Sequence, residues 1–238
     1  MASTLDSPRR TARRAGILYL IVIVCAGFGE GYVRSSLVVP GDAAATAANI
    51  AAAEGLFRLG FVSDLIAFMA DAAIAILLYV LLRPVSKTLS LVAASFRLLA
   101  HPAIGSVNLL NHFGVLLLLD GSDALTVFDT DQLQALASLL LSAHGVGYLI
   151  GGAFFGVHLL LLGYLLHKSE YFPTILGVLL VVASLGYLTE SFGNFLFPEY
   201  APIYVWVVSV PAVVGEVSLC VWLLSKGVLG PAPVDTPA

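Results

Sequence analysis

Residues 57–82 read FRLGFVSDLIAFMADAAIAILLYVLL. At ~1.5 Å per helical residue this run is long enough to cross a hydrocarbon core ~30 Å thick. Arg83-Pro84 ends it, because proline blocks helix continuation. Two acids sit inside the run, Asp64 and Asp71. Their spacing of two helical turns places them on one face. A carboxylate at the bilayer centre costs at least ~2.5–3.5 kcal/mol, so each needs a partner or a task. The stretch therefore predicts a membrane span with a polar stripe turned away from lipid, and it raises the question of what faces that stripe.

The rest of the chain repeats the pattern. Of 238 residues, 59% are hydrophobic and 11% charged, and mean hydropathy is +0.98. Soluble domains carry about 25% charged residues, so most of this surface must face lipid. Further apolar runs cover about 15–39, 89–119, 132–166, 174–197 and 203–224. The fold class is all-α: a polytopic transmembrane helical bundle of about six spans, forming one domain over 15–227. A basic tail (1–14) precedes it, and a Pro-rich tail (228–238), expected to be disordered, follows. Span 1 is not a signal peptide, since no cleavage site in a polar context follows it. Instead Glu30 and Arg34, four apart, pair on one helix face. Pro40-Gly41 stops that helix. Asp42 is a good N-cap for the Ala-rich stretch 43–55, too short and polar to span, which predicts a short interfacial helix between spans 1 and 2.

Charge sets the expected orientation. Arg9, Arg10, Arg13, Arg14, Arg83, Lys87, Lys168 and Lys226 fall on one side, whereas Arg34 and Arg58 lie at the other and Arg97 lies within a span. The positive-inside rule then predicts both termini in the cytoplasm. The scattered cations form no patch for nucleic acid. Cys25 and Cys220 lie in apolar runs and read as small buried hydrophobes.

Ionisable residues recur at helical spacing in five of the six runs. Besides Asp64 and Asp71 these are Arg97, His101, Asn108 and His112, then His144, Tyr148 and His158, then Tyr187, Glu190 and Asn194, and finally Glu216. Counting from the helix ends separates two levels. Asp71, Arg97, His101 and Glu216 fall near mid-membrane, with His158 below them. Arg97 is expected to pair with Asp71 or Glu216, a register-fixing contact that needs no further function. These residues, with Tyr148 and His158, are candidate ligand contacts. Asp64, Asn108, His112, His144, Glu190 and Asn194 fall in the outer half as the candidate catalytic cluster. Within it His112, His144, Asp64 and Glu190 suit a divalent metal such as zinc, and histidines among carboxylates also suit acid–base work. A hydrogen-bonded interhelical network is the plain alternative. A b-type haem between His101 and His144 or His158 ranks behind a metal, since nothing else favours a porphyrin. The sequence contains no HExxH, GxSxG, P-loop or CxxC motif.

Several segments together resemble a known family: RRTARRAGILYLIVIVCAGFGE (9–30), YVRSSLVVPGDAAATAANI (32–50), LFRLGFVSDLIAF (56–68), SFRLL (95–99), SVNLLNHF (106–113), DTDQLQALASLLLSAHGVGY (129–148), FFGVHLLLLGYLL (154–166) and PTILGVLLVVASLGYL (173–188). From about Arg10 to Gly227 the chain resembles the bacterial DUF4386 family, whose name denotes unknown function. The resemblance implies a bacterial inner-membrane protein and places Arg58, Asp64, Arg97, Asn108, His112, His144 and His158 in the motif segments, but implies no catalytic role. The expected function is a polar intramembrane pocket that binds a lipophilic small molecule and works as a small, metal-dependent intramembrane enzyme. The alternatives are a transporter or ligand-binding membrane protein, and a non-catalytic partner subunit. The lipid bilayer is the one partner the composition requires, and oligomeric state is left open.

Overall fold

A computed structural model of the chain describes residues 7–229. Six helices are long and apolar enough to cross a membrane: α1 (Pro8–Leu37), α3 (Glu54–Leu82), α4 (Lys87–Leu119), α5 (Thr130–Lys168), α6 (Thr174–Leu196) and α7 (Pro198–Ser225). The short helix α2 (Ala43–Ala52) lies between the first two, N-capped by Asp42 through Ala45 N at 2.8 Å. No strand occurs among the described residues. The all-α, six-span reading is thus the observed architecture, and the helix limits lie close to the apolar runs.

One boundary differs. α1 starts at Pro8, because Ser7 caps Arg10 N at 3.4 Å and proline at the first helical position has no N–H to satisfy. Arg9, Arg10, Arg13 and Arg14 therefore ride on the first turns of the span. The tail expected at 228–238 falls, apart from residues 228 and 229, outside the described residues.

The six long helices close into a ring in chain order: α1 packs on α3, α3 on α4, α4 on α5, α5 on α6, α6 on α7, and α7 returns to α1. Each helix therefore has an inner face, and that is where the polar stripes go. The outer face carries exposed apolar side chains such as Val24, Met69, Leu110, Leu139, Leu185 and Trp206. Such a belt suits acyl chains and not water.

Both described ends meet on one face of the ring. Leu229 N donates to Tyr171 O at 2.8 Å in the α5–α6 turn. There Ala12, Leu82, Phe172 and Leu223 belong to a large apolar core. On the far face Val33, Leu37, Ile50, Phe57, Val115 and Ala137 form a second apolar layer, in which α2 covers the helix ends.

Two helices are locally widened into π-helix, at Gly27–Arg34 in α1 and Leu99–Gly105 in α4. In the second, Pro102 lacks the N–H that an α-helical ladder needs, and the wider turn absorbs the defect. The first is glycine-rich (GFGEGYVR), and Gly29 is required there. A Cβ on it would run into the carboxylate of Asp64.

Candidate functional site

Between the two apolar layers lie two buried polar centres, one on each acid of α3. The first is built around Arg34, at the end of the π-helical turn of α1. Its Nε donates to Glu30 at 2.6 Å and its Nη1 to Asp64 Oδ2 at 2.7 Å. Nη1 also lies 3.3 Å from His112 Nδ1, and Nη2 donates to the Tyr148 hydroxyl at 3.3 Å. Asp64, His112 and His144 are buried, as is Arg34. Glu30 alone among these partners is largely exposed, at 60%.

Backbone carbonyls fix both rings. His112 Nε2 faces Phe57 O at 3.1 Å and His144 Nδ1 faces Asn108 O at 3.1 Å. A carbonyl can only accept, so these nitrogens carry the protons. His112 Nδ1 is then an acceptor facing Arg34 Nη1, and His144 Nε2 is a lone pair with no partner; fixing one ring nitrogen on a carbonyl is how histidine is oriented in metal sites. Stacking reinforces the pose: the Phe57 ring lies on His112 at 4.0 Å, and Tyr148 meets His144 edge-on at 5.0 Å. Asn108 completes a reciprocal clasp between α4 and α5 by donating to His144 O at 2.7 Å. Its amide occupies the space that a Cβ on Gly147 would take.

Two acceptors in this centre have no hydrogen-bond partner. Asp64 Oδ1 and His144 Nε2 are fully buried and unsatisfied. One ligand atom each from Asp64, His112 and His144 can be chosen so that all lie within 4.8 Å of one another. A buried acceptor left unmade costs ~1–3 kcal/mol, and this centre holds two of them.

The second centre surrounds Arg97. Its Nε donates to Asp71 Oδ1 at 2.9 Å, with Nη2 on the same oxygen. Nη1 donates to His158 Nε2 at 3.1 Å, while His158 Nδ1 donates to Ala93 O at 2.8 Å. His101 Nδ1 meets Asp71 Oδ2 at 3.0 Å. The guanidinium lies over the rings of Tyr19, at 4.8 Å, and Phe155, at 5.2 Å. Glu216 accepts from Tyr19 at 3.0 Å and Tyr187 at 2.9 Å. All six spans contribute to this network, and none of these groups is left unpaired.

The predicted residues therefore sort unevenly. Asp64, Asn108, His112 and His144 converge as expected, and Tyr148 joins them instead of the mid-membrane group. Glu190 and Asn194 stay on α6, where Asn194 Nδ2 donates to the Glu190 carbonyl at 2.8 Å. Among the described residues no hydrogen bond or ion pair joins them to the Asp64 centre, and Glu190 is not among its converging ligands. Arg97 takes Asp71 as its ion-pair partner, and Glu216 is held by two tyrosines. A porphyrin does not fit between His101 and His158. Phe155 packs against both rings, at 4.8 and 5.6 Å, and both nitrogens of His158 are used. Sequence reasoning missed Arg34 and Tyr19. The depth of Asp64 was the available signal, because a buried acid at that level needs a cation and Arg34 is the near one.

The family model described as "Domain of unknown function (DUF4386)" matches residues 14–227, nearly the whole membrane domain. The chain belongs to the DUF4386 family. A relative from Archaeoglobus fulgidus, named "Uncharacterized protein", is 33% identical over 167 residues, which cover 70% of this chain and 83% of that protein. No solved structure matches. Within this DUF4386 chain the matched segment contains both polar centres in full.

Proposed function

We propose that this DUF4386 protein is a small intramembrane enzyme acting on a lipophilic substrate, with a divalent metal such as zinc held by Asp64, His112 and His144. The observation that carries the reading is the pair of buried, unpartnered acceptors, Asp64 Oδ1 and His144 Nε2, in a centre where Asp64, His112 and His144 each offer a ligand atom within 4.8 Å of the others. Three protein ligands leave a coordination position open, which is the arrangement of catalytic zinc, and a metal there would activate water or polarise a carbonyl. Arg34 holds Asp64 through its other oxygen and can neutralise developing negative charge, while the Tyr148 hydroxyl stands next to it as a proton donor. The apolar layers on either side would limit water, and a hydrophobic substrate would have to reach the centre from the membrane. The proposed setting is the bacterial inner membrane with both termini in the cytoplasm. The eight cations on the face of the termini support that orientation, and the even number of spans puts both ends on one side.

A second reading is a metal-free pocket for a lipophilic, hydrogen-bond-donating ligand, in a binding protein or a transporter. It is favoured by Arg34 Nη1, which already stands 3.3 Å from His112 Nδ1 and supplies positive charge there. Elemental analysis and thermal shift of the full chain, purified without chelators, separate the two. The metal reading expects stoichiometric zinc, lost in His144→Ala, and a zinc-dependent rise in melting temperature of the apo protein. Saturation at 100 times the dissociation constant would stabilise it by ~2.7 kcal/mol. Metal-free wild-type protein that ignores added zinc would remove the metal and leave the ligand pocket.

A further inference from the structure

The face that carries both described ends holds a cavity of about 340 Å³, remote from the two polar centres. Its walls include Ser7, Arg9, Arg10 and Arg13 from the start of α1 and Lys226 and Gly227 from the end of α7, with Leu223 and Leu224 forming the apolar side. The geometry is built and not incidental. Gly227 adopts φ +71°, a left-handed conformation that closes the helix C-terminus. It turns the chain against Arg9, whose Cγ would lie 3.2 Å from a Cβ placed on Gly227. Lys226 is thereby brought to the arginines of α1.

Four cations thus border one opening, and among the described residues no carboxylate pairs with Arg9, Arg10, Arg13 or Lys226. Like charges held together repel, and because the positive end of α1 and the negative end of α7 meet at this opening and offset one another, the field is that of the four side chains. An anion seated in the opening would relieve that repulsion. The volume is at the small end of ligand sites, enough for a compact polar group. Arginine matches phosphate oxygens in bidentate fashion, and Leu223 and Leu224 give the cavity an apolar side.

We propose that this cavity binds a phosphate group, carried by the headgroup of an anionic phospholipid. The same cation set would recognise a soluble phosphate, so the test has to tell the two sources apart. The full chain is reconstituted in nanodiscs of phosphatidylcholine alone, of phosphatidylcholine with phosphatidylglycerol, or of phosphatidylcholine with added inorganic phosphate. Retained lipid is read by native mass spectrometry and thermal protection is measured in parallel. Arg13→Gln/Lys226→Gln is compared with Arg83→Gln/Lys87→Gln, which removes equal charge from a loop that does not line the cavity.

With each cation near the surface contributing about fivefold, the first pair should weaken retention of anionic lipid on the order of 25-fold, and the loop pair should not. Protection by inorganic phosphate that the first pair abolishes would keep the phosphate site and assign it a soluble source. Equal losses in both double variants, or no response to either anion, overturn the proposal.

Discussion

Two acids seven residues apart on α3 anchor two versions of the same motif. Asp71 and Asp64 each take a buried arginine, and each arginine reaches a histidine whose other nitrogen is tied to a backbone carbonyl. Each set also has tyrosines around it. The difference lies in satisfaction. Around Arg97 the side chains of all six helices find partners, and two aromatic rings sandwich the charge. Around Arg34 two acceptors have no partner, one partner acid is exposed, and the carboxylate lies against the backbone of a glycine. A fully satisfied buried network rigidifies a core, whereas a partly satisfied one in a native protein calls for an explanation. The Arg97 centre therefore reads as the pin that sets the register of the ring, and the Arg34 centre as the one to which the proposed binding role is given.

The largest effect should come from the pin. Arg97→Leu strands Asp71 in the middle of the bundle and removes the counter-charge near Glu216, and breaking such a pair costs about 3–5 kcal/mol. Arg34→Leu should cost less, about 2–3 kcal/mol, since its site lies nearer the membrane edge and one of its acids is already in contact with the surroundings. The fraction of monodisperse protein surviving a heating series in detergent measures both. Equal losses, or the reverse order, would erase the distinction between a structural and a functional centre.

Much of this contrast could be read from the chain, but not all of it. The spans were legible because lipid demands long apolar runs, and Asp64, Asn108, His112 and His144 because inward-facing residues repeat at helical spacing. Rotation of one helix about its own axis relative to its neighbours leaves no such trace. That is why Glu190 and Asn194, at a suitable depth on α6, were expected in a centre they do not join. Arg34 was hidden differently. Four residues from Glu30 and close to the end of its span, it reads as an exposed i,i+4 pair, and only the widened π-helical turn swings the guanidinium inward while Glu30 stays out. Pro102 advertised its own π-helix, but the glycines of α1 did not advertise theirs. Tyr19 carried no sign, since a tyrosine in an apolar run looks like any other core residue until Glu216 and Arg97 are found beside it.

The next effect in size sharpens the comparison at Gly29. Gly29→Ala forces a methyl group onto the Asp64 carboxylate, and overpacking of this kind costs about 1–3 kcal/mol. Gly27, two residues earlier in the same widened turn, has open space around it, so Gly27→Ala is the matched control. If the Asp64 centre is a binding site, the Gly29 variant should lose any zinc-induced stabilisation, while the Gly27 variant keeps it. Loss of zinc response in both would mean that the π-helical turn is generally fragile, and that Asp64 has no special claim on the space beside it.

The smallest effect decides what an unpartnered polar atom means in this fold. Ser184 on α6 is fully buried, and its Oγ lacks a partner, yet it belongs to neither centre. Ser184→Ala removes a hydroxyl that makes no hydrogen bond, so the variant should be as stable as the parent or more stable by up to about 1 kcal/mol. His144→Ala likewise removes an unpartnered nitrogen, but it also removes the Nδ1 hydrogen bond to the Asn108 carbonyl and so should destabilise the apo protein slightly. The informative quantity is how each responds to ligand. A serine that is merely tolerated leaves the zinc-dependent shift untouched, whereas the histidine variant abolishes it. Should Ser184→Ala suppress that shift as strongly, orphaned atoms would be a general property of this bundle, and the bare acceptors of Asp64 and His144 would no longer single out a site.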